Sequence, residues 1–226
     1  MIRLVLFDID GTLIHTDGAG IKAFGRALAM QFNVPGDTDW VSFSGRTDTG
    51  LARQFFLKHK VEPTQENFRL FFDCYVHWLD HHLSQTGGEI CPGVWRLIHE
   101  LRNLPKRPAL GLLTGNIRLG AEIKLRRFDL WESFETGAFA DDHEDRDQIA
   151  AVARERGGRL LKEPLRGEQI VVIGDTPLDI RCGRAIGAKV LAVATGGSPL
   201  AELRKHNPDW AVTDLGKVTA ADLCRK

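Results

Sequence analysis

Four short, uninterrupted apolar runs constrain this chain more than anything else in it: Leu4–Phe7, Ala109–Leu113, Ile170–Ile173 and Val190–Ala194. A run of four or five such residues without alternation belongs to a strand buried on both faces, as in a parallel sheet covered by helices. Between the later runs lie stretches with helical spacing, Ile117–Phe128, Gln148–Arg156 and Leu178–Ile186. Strands alternating with helices after residue 105 predict an α/β fold with a doubly wound, Rossmann-like parallel sheet.

Residues 16–89 break that alternation and read as helical throughout. Ile21, Phe24, Leu28 and Phe32 share one helical face, as do Leu51, Phe55 and Phe56. A longer stripe follows Thr64, a capping residue, and carries Phe68, Phe71, Phe72, Tyr75, Trp78, Leu79 and Leu83. The simplest organisation is an α/β core made of residues 1–15 and 90–226, with residues 16–89 inserted as a helical module. Thr86-Gly87-Gly88 marks the return linker.

The chemistry gathers where the runs end. In open α/β sheets, ligands bind beyond the carboxyl ends of the strands. The first run delivers Asp8-Ile9-Asp10-Gly11-Thr12-Leu13. Two carboxylates so close are unfavourable unless a cation shares them, and hard oxygen ligands suit Mg²⁺. The second ends in Thr114-Gly115-Asn116, a hydroxyl and free backbone N–H groups at a helix start, which suit a phosphate. A third ends in Gly174-Asp175-Thr176-Pro177-Leu178-Asp179, adding one acid at the strand end and another four residues on. Each motif alone reads equally as a capped turn. Together they converge on one edge of one sheet.

These residues resemble the haloacid dehalogenase superfamily of phosphohydrolases, in its phosphoglycolate phosphatase-like branch, over nearly the whole chain. Asp8-Ile9-Asp10-Gly11-Thr12-Leu13 matches the nucleophile motif, Leu112-Leu113-Thr114-Gly115-Asn116 the phosphate motif, and Gly174-Asp175 with Asp179 the acidic metal motif. The insertion stands where this family carries a helical cap, hinged near Thr16–Gly20 and Thr86–Gly88. The resemblance implies a Mg²⁺-dependent phosphatase acting on a small phosphate monoester, phosphoglycolate- or sugar-phosphate-like. Asp8 would form an aspartyl-phosphate and Asp10 would serve as general acid and base. The metal would be held by the Asp8 carboxylate, the Asp10 backbone oxygen and Asp175, with Asp179 beside it or sharing it. Thr114, Gly115 and Asn116 would bind the phosphate.

The sequence departs from the family at the third motif, where a lysine is usual. Here the region reads Asp141-Asp142-His143-Glu144-Asp145-Arg146-Asp147, so Arg146 is the expected phosphate-site cation. Lys124 is its rival. Helical rise from Thr114 would carry Lys124 about 15 Å along its helix, which argues against direct contact. Within the cap, Ser44-Gly45-Arg46-Thr47-Asp48 offers a fork-shaped cation beside small polar groups, suited to an anionic or hydroxylated substrate tail. The same segment reads as a plain helix start with a solvated Arg46.

Thirty Lys and Arg balance thirty Asp and Glu, so no basic footprint for nucleic acid exists, nor a polybasic membrane segment. No apolar run has the length of a membrane span. The four cysteines lie far apart and read as reduced thiols of a cytoplasmic protein. The expected partner is a small phosphorylated metabolite. Three rival readings are a phosphomutase of the same family, a receiver-like signalling domain and a catalytically idle binding module, though every acid expected for catalysis is present. Asp10 argues against the receiver, because an acid/base group beside the nucleophile hastens loss of the phosphoryl group.

Overall fold

The computed structural model describes residues 1–85 and 87–224. In chain order the elements are β1 (Leu4–Phe7), β2 (Ile14–His15), α1 (Ala19–Phe32), α2 (Asp48–Lys58), α3 (Gln65–Gln85), β3 (Glu89–Ile90), α4 (Val94–Arg102), β4 (Ala109–Leu113), α5 (Arg118–Arg126), β5 (Thr136–Ala138), α6 (Arg146–Leu161), β6 (Ile170–Gly174), α7 (Pro177–Ala185), β7 (Lys189–Val193), α8 (Leu200–Lys205), β8 (Trp210–Val212) and α9 (Ala220–Cys224).

Six strands form one parallel sheet in the order β5-β4-β1-β6-β7-β8. The chain leaves β1 toward β4 and β5, then returns to β6 on the other side of β1. The order therefore reverses beside β1, the topological switch point where such sheets bind ligands. Strand residues alternate between two apolar layers. Val5, Phe7, Leu110, Leu112, Val171 and Ile173 face one layer. Leu4, Leu6, Ala109, Leu113, Ile170 and Val172 face the other. Both faces are buried, which is why these strands read as continuous apolar runs.

Two strands of this sheet escape the sequence reading. β5 and β8 are three residues each, Thr136-Gly137-Ala138 and Trp210-Ala211-Val212, at opposite edges of the sheet. They are too short and too mixed to stand out as apolar runs. The expected Val190–Ala194 strand begins one residue earlier, at Lys189.

β2 and β3 form an antiparallel two-stranded ribbon, and the three helices α1, α2 and α3 lie between them in sequence. Their core is aromatic: Phe24, Phe55, Phe56, Phe71 and Tyr75 are fully buried together. Phe24 meets Phe71 edge to face, with ring centroids 4.7 Å apart. Thr64 Oγ1 accepts a hydrogen bond from the Asn67 amide at 3.2 Å, the anticipated cap. The segment is not helical throughout, however. Between α1 and α2, residues 33–47 form turns and extended chain. α1 stops at Asn33, whose φ of 50° is left-handed, and Pro35 follows two residues later. Of the return linker, Gly87 and Gly88 are described and Thr86 lies outside the described residues.

All four cysteines are free. Among the described residues, no helix is long and apolar enough to cross a membrane.

Candidate active site

A cavity of about 580 Å³ opens at the carboxyl ends of β1, β4 and β6, between the sheet and the three-helix unit. That volume suits a small ligand. Its lining includes Asp8, Asp10, Thr114, Lys124, Arg146 and Asp175 from the sheet side. Arg46, Asp48 and Tyr75 enter from the helices. The turn after β1 can be this tight only because Gly11 adopts a φ of +79°. A Cβ there would also lie 2.7 Å from an Asp175 oxygen.

Asp8 and Asp175 end adjacent strands and, with Asp179, bring carboxylate oxygens within 4.8 Å of one another. Arg146 begins α6 and reaches between them, 3.3 Å from Asp8 and in a very short contact with Asp179. Its guanidinium is only 4% exposed, and burial works against its charge. Asp179 and Asp8 nonetheless hold it firmly charged. Asp179 is already committed: its other oxygen accepts from the Thr176 hydroxyl at 2.6 Å and the Thr176 amide at 3.0 Å, capping α7. Among the described residues Asp175 receives only long contacts, from Thr12 Oγ1 and the Gly197 amide, both at 3.3 Å.

The electrostatics of this group are uncompensated. Burial pushes the Asp8 carboxyl up to about 6, Arg146 pulling against it and Asp179 and Asp10 adding to it. Asp175 is pushed up to about 8 by burial, then by Asp179 and Asp8. One arginine cannot neutralise three buried acids. The donor set left over is hard oxygen, from Asp8 and Asp175, with the chain turning through Asp10 beside them. Those residues fit a Mg²⁺-sized cation, which would relieve the repulsion.

Asp10 lies apart from that group. Its side chain is 44% exposed and faces the cavity. Both its oxygens accept from Lys124 Nζ, at 2.9 and 2.7 Å, and one also accepts from Asn116 Nδ2 at 2.8 Å. Lys124 was expected to stand too far away, and this corrects that expectation. Residues 114–117 are not helical, and α5 starts only at Arg118. Six residues of helix rise about 9 Å, and side chains lean back toward the helix start. Arg146 and Lys124 thus share one cavity but hold different acids.

Thr114 Oγ1 accepts from Asn116 Nδ2 at 2.9 Å, so the hydroxyl proton is left to donate into the cavity. Asn116 spends its amide nitrogen on Asp10 and Thr114 and its oxygen on Lys124. Gly115 passes directly under the helical unit: a Cβ there would lie 2.1 Å from the Arg46 carbonyl oxygen, and its own oxygen accepts from the Asp48 amide at 2.7 Å.

Arg46 is half-buried at the cavity wall and, among the described residues, has neither ion-pair nor side-chain hydrogen-bond partner. Thr47, not Arg46, caps α2, accepting from the Gly50 amide. Two wall residues, Asp48 and Tyr75, and the buried Thr12 behind the wall were not singled out from sequence. Thr12 touches Asp175, Asp48 anchors the helical unit, and Tyr75 brings the chain's only tyrosine hydroxyl to the cavity. A lone tyrosine in an otherwise phenylalanine-rich stripe was the available signal for the last.

An all-parallel sheet carrying acids at the ends of β1 and β6 and a hydroxyl at the end of β4 gathers groups for a cation and a phosphate at one edge. The family described as haloacid dehalogenase-like hydrolase matches residues 5–193, and the chain belongs to it. Among curated relatives, it is 28% identical over 218 residues to pyrophosphatase PpaX of Bacillus cereus, covering 95% of this chain and 93% of that one. The corresponding protein of Bacillus mycoides is 26% identical over 215 residues, covering 95% and 94%. Solved structures share the fold. A haloacid dehalogenase-like family hydrolase from Streptococcus pneumoniae superposes with a TM-score of 0.68 at 19% identity, covering 96% of each chain. CbbY from Rhodobacter sphaeroides, crystallised with phosphate, superposes with a TM-score of 0.67 at 21% identity, covering 88% of each.

Proposed function

We propose that this protein is a Mg²⁺-dependent phosphatase that hydrolyses a small phosphate monoester, phosphoglycolate- or sugar-phosphate-like, through an aspartyl-phosphate on Asp8. One observation carries the reading: Asp8, 3.3 Å from Arg146, shares a cavity with Thr114, Asp175 and a separately held Asp10. The names of the curated relatives and the phosphate bound to CbbY support phosphate chemistry at a site of this kind.

Asp8 acts as the carboxylate, with the Arg146 guanidinium 3.3 Å away opposing the effect of burial on its charge. One of its oxygens attacks phosphorus, the new O–P bond forms, and the bond to the leaving oxygen breaks. Asp10, open to the cavity, gives that oxygen its proton. It then takes a proton from the water that attacks the phosphoryl group, which leaves as phosphate and frees Asp8. Arg146 and the Thr114 hydroxyl face the phosphoryl oxygens. When bound at Asp8 and Asp175, Mg²⁺ supplies positive charge that offsets the meeting of anionic substrate and anionic nucleophile. Residues 16–89 serve as a cap that keeps bulk water from the site, and Arg46 reads an anionic or polar tail on the leaving group. The pyrophosphatase names of the relatives make pyrophosphate one candidate with such a tail.

A phosphate-release screen with and without Mg²⁺, over alkyl phosphates, sugar phosphates and pyrophosphate, tests the reading. Release that needs Mg²⁺ and stops with chelator is expected. Full activity in excess chelator, or transfer of the phosphoryl group between hydroxyls of a sugar without release, contradicts it.

A further inference from the structure

Arg146 occupies the phosphate-site cation position, which leaves a second buried cation without a task. Lys124 is 5% exposed and lies on α5, not on α6, the helix that Arg146 begins. A buried ammonium needs its three N–H groups satisfied. All three are: two on the oxygens of Asp10, at 2.9 and 2.7 Å, and one on Asn116 Oδ1, at 2.6 Å. No donor remains for a phosphate oxygen in this arrangement. Its chemistry is spent on neighbouring side chains.

Those contacts form a closed ring. Lys124 fixes Asn116 by holding its oxygen, so the Asn116 nitrogen faces Asp10, 2.8 Å away. Asp10 is thereby gripped from two sides on a loop that follows β1. It is otherwise 44% exposed, and among the described residues no other side chain bonds its carboxylate to stop rotation into the cavity. A proton donor must stand within hydrogen-bond reach of the leaving oxygen, and small misplacements cost heavily. The cap completes the enclosure. A Cβ on Gly20 of α1 would stand 3.5 Å from Lys124 Nζ and 3.7 Å from the hydroxyl of Tyr75, so both helices close over the lysine head.

The geometry points to Lys124 as a positioning residue that orients the Asp10 carboxylate toward the leaving-group oxygen, acting through Asn116 as well as directly. This rests on the role given to Asp10 above. It separates the two cations: Arg146 serves the nucleophile and the phosphoryl group, Lys124 serves the proton donor.

The test is leaving-group dependence of kcat/KM, which reports the steps through phosphoryl transfer to Asp8. Lys124→Met keeps the stem and removes the donors. Measured on phosphoglycolate, or on the alkyl phosphate turned over best, kcat/KM should fall by about 10²-fold, as loss of general-acid help does. On 4-nitrophenyl phosphate, whose leaving group needs no proton, it should change little. Lys124→Gln, which keeps a donor, should lose less than Lys124→Met on the alkyl substrate. Equal losses on both substrates would overturn the proposal, as would a rise in KM alone, which would make Lys124 a substrate ligand. If Asp10→Asn also loses equally on both substrates, the failure lies in the reading of Asp10. A crystal structure of Lys124→Met gives a readout independent of turnover: Asp10 is expected to leave Asn116 and rotate, and an unmoved Asp10 overturns the proposal.

Discussion

The Asp48 carboxylate, at the start of α2, accepts a hydrogen bond from the Ile117 amide, at the start of α5, at 2.9 Å. The two helices meet N-terminus to N-terminus through one acid. The Asp48 amide in turn donates to the Gly115 oxygen at 2.7 Å. This link is buried, and burial pushes Asp48 up to about 7 despite Lys124 and the Ile117 amide. Arg53–Glu144 also crosses the boundary, but both partners are about 40% exposed, so that pair contributes little. Asp48→Ala leaves the Ile117 amide without its partner and should cost about 1–3 kcal/mol of stability in urea denaturation. Asp48→Asn keeps an acceptor oxygen and should cost much less. Equal losses would mean that the hydrogen bond does not hold the two helices together.

Arg146 stands between two buried acids, and Asp179 is entirely enclosed. Removing one partner of a buried ion pair leaves an uncompensated charge, worth about 3–5 kcal/mol. Arg146→Met should therefore unfold at markedly lower denaturant and lose phosphatase activity. A variant as stable as the parent would show that Asp179 is satisfied by the Thr176 contacts alone.

The raised carboxyls give stability a pH slope of known sign. Asp8 and Asp175 move from an ordinary 3.8 to about 6 and about 8. The metal-free folded chain therefore holds protons that the unfolded chain has released. That contribution is complete below about 4 and is lost as pH rises through about 6 and then about 8. Thermal melting of the metal-free protein should fall across this window, less steeply in Asp175→Asn. Mg²⁺ binds the ionised acids, so its stabilising shift should grow over the same interval. A Mg²⁺ shift that is constant with pH would contradict the assignment of these two acids to the metal.

Among the described residues Arg46 has no acidic partner, and it faces the cavity from the helical unit. Arg46→Ala should weaken kcat/KM for the preferred substrate by about 1.5–3 kcal/mol, the worth of hydrogen bonds to a charged group. Hydrolysis of 4-nitrophenyl phosphate, which lacks an anionic tail, should be nearly unchanged. Parallel kinetics on the two substrates decide it: equal losses place Arg46 in cap stability, and no loss on either leaves it a surface arginine.

Much of the fold was legible because burial on both faces leaves a trace in sequence. Leu4–Phe7 and Ala109–Leu113 are strands at the residues where the apolar runs stand. The edge strands β5 and β8 left no such trace, since an edge strand of three residues needs little apolar surface. The 33–47 segment was misread because Phe43 and Val41 pack on the helical core without belonging to a helix. At the site, Asp8, Asp10, Thr114, Arg146 and Asp175 were readable because each follows a strand or begins a helix at the sheet's ligand edge. Lys124 was discounted by counting along the chain, and Asp48 by treating it as a local cap. Both act across long sequence separations, and what places them is the packing of the helical unit against α5.

Trapping the intermediate tests the central claim most directly. Protein mixed with a turned-over phosphate ester and Mg²⁺, quenched in acid and digested, should yield the peptide containing Asp8 with one added phosphoryl group. Asp8→Asn should yield none and should release no phosphate. A phosphoryl group found on another residue, or phosphate released at the parental rate by Asp8→Asn, would contradict the account.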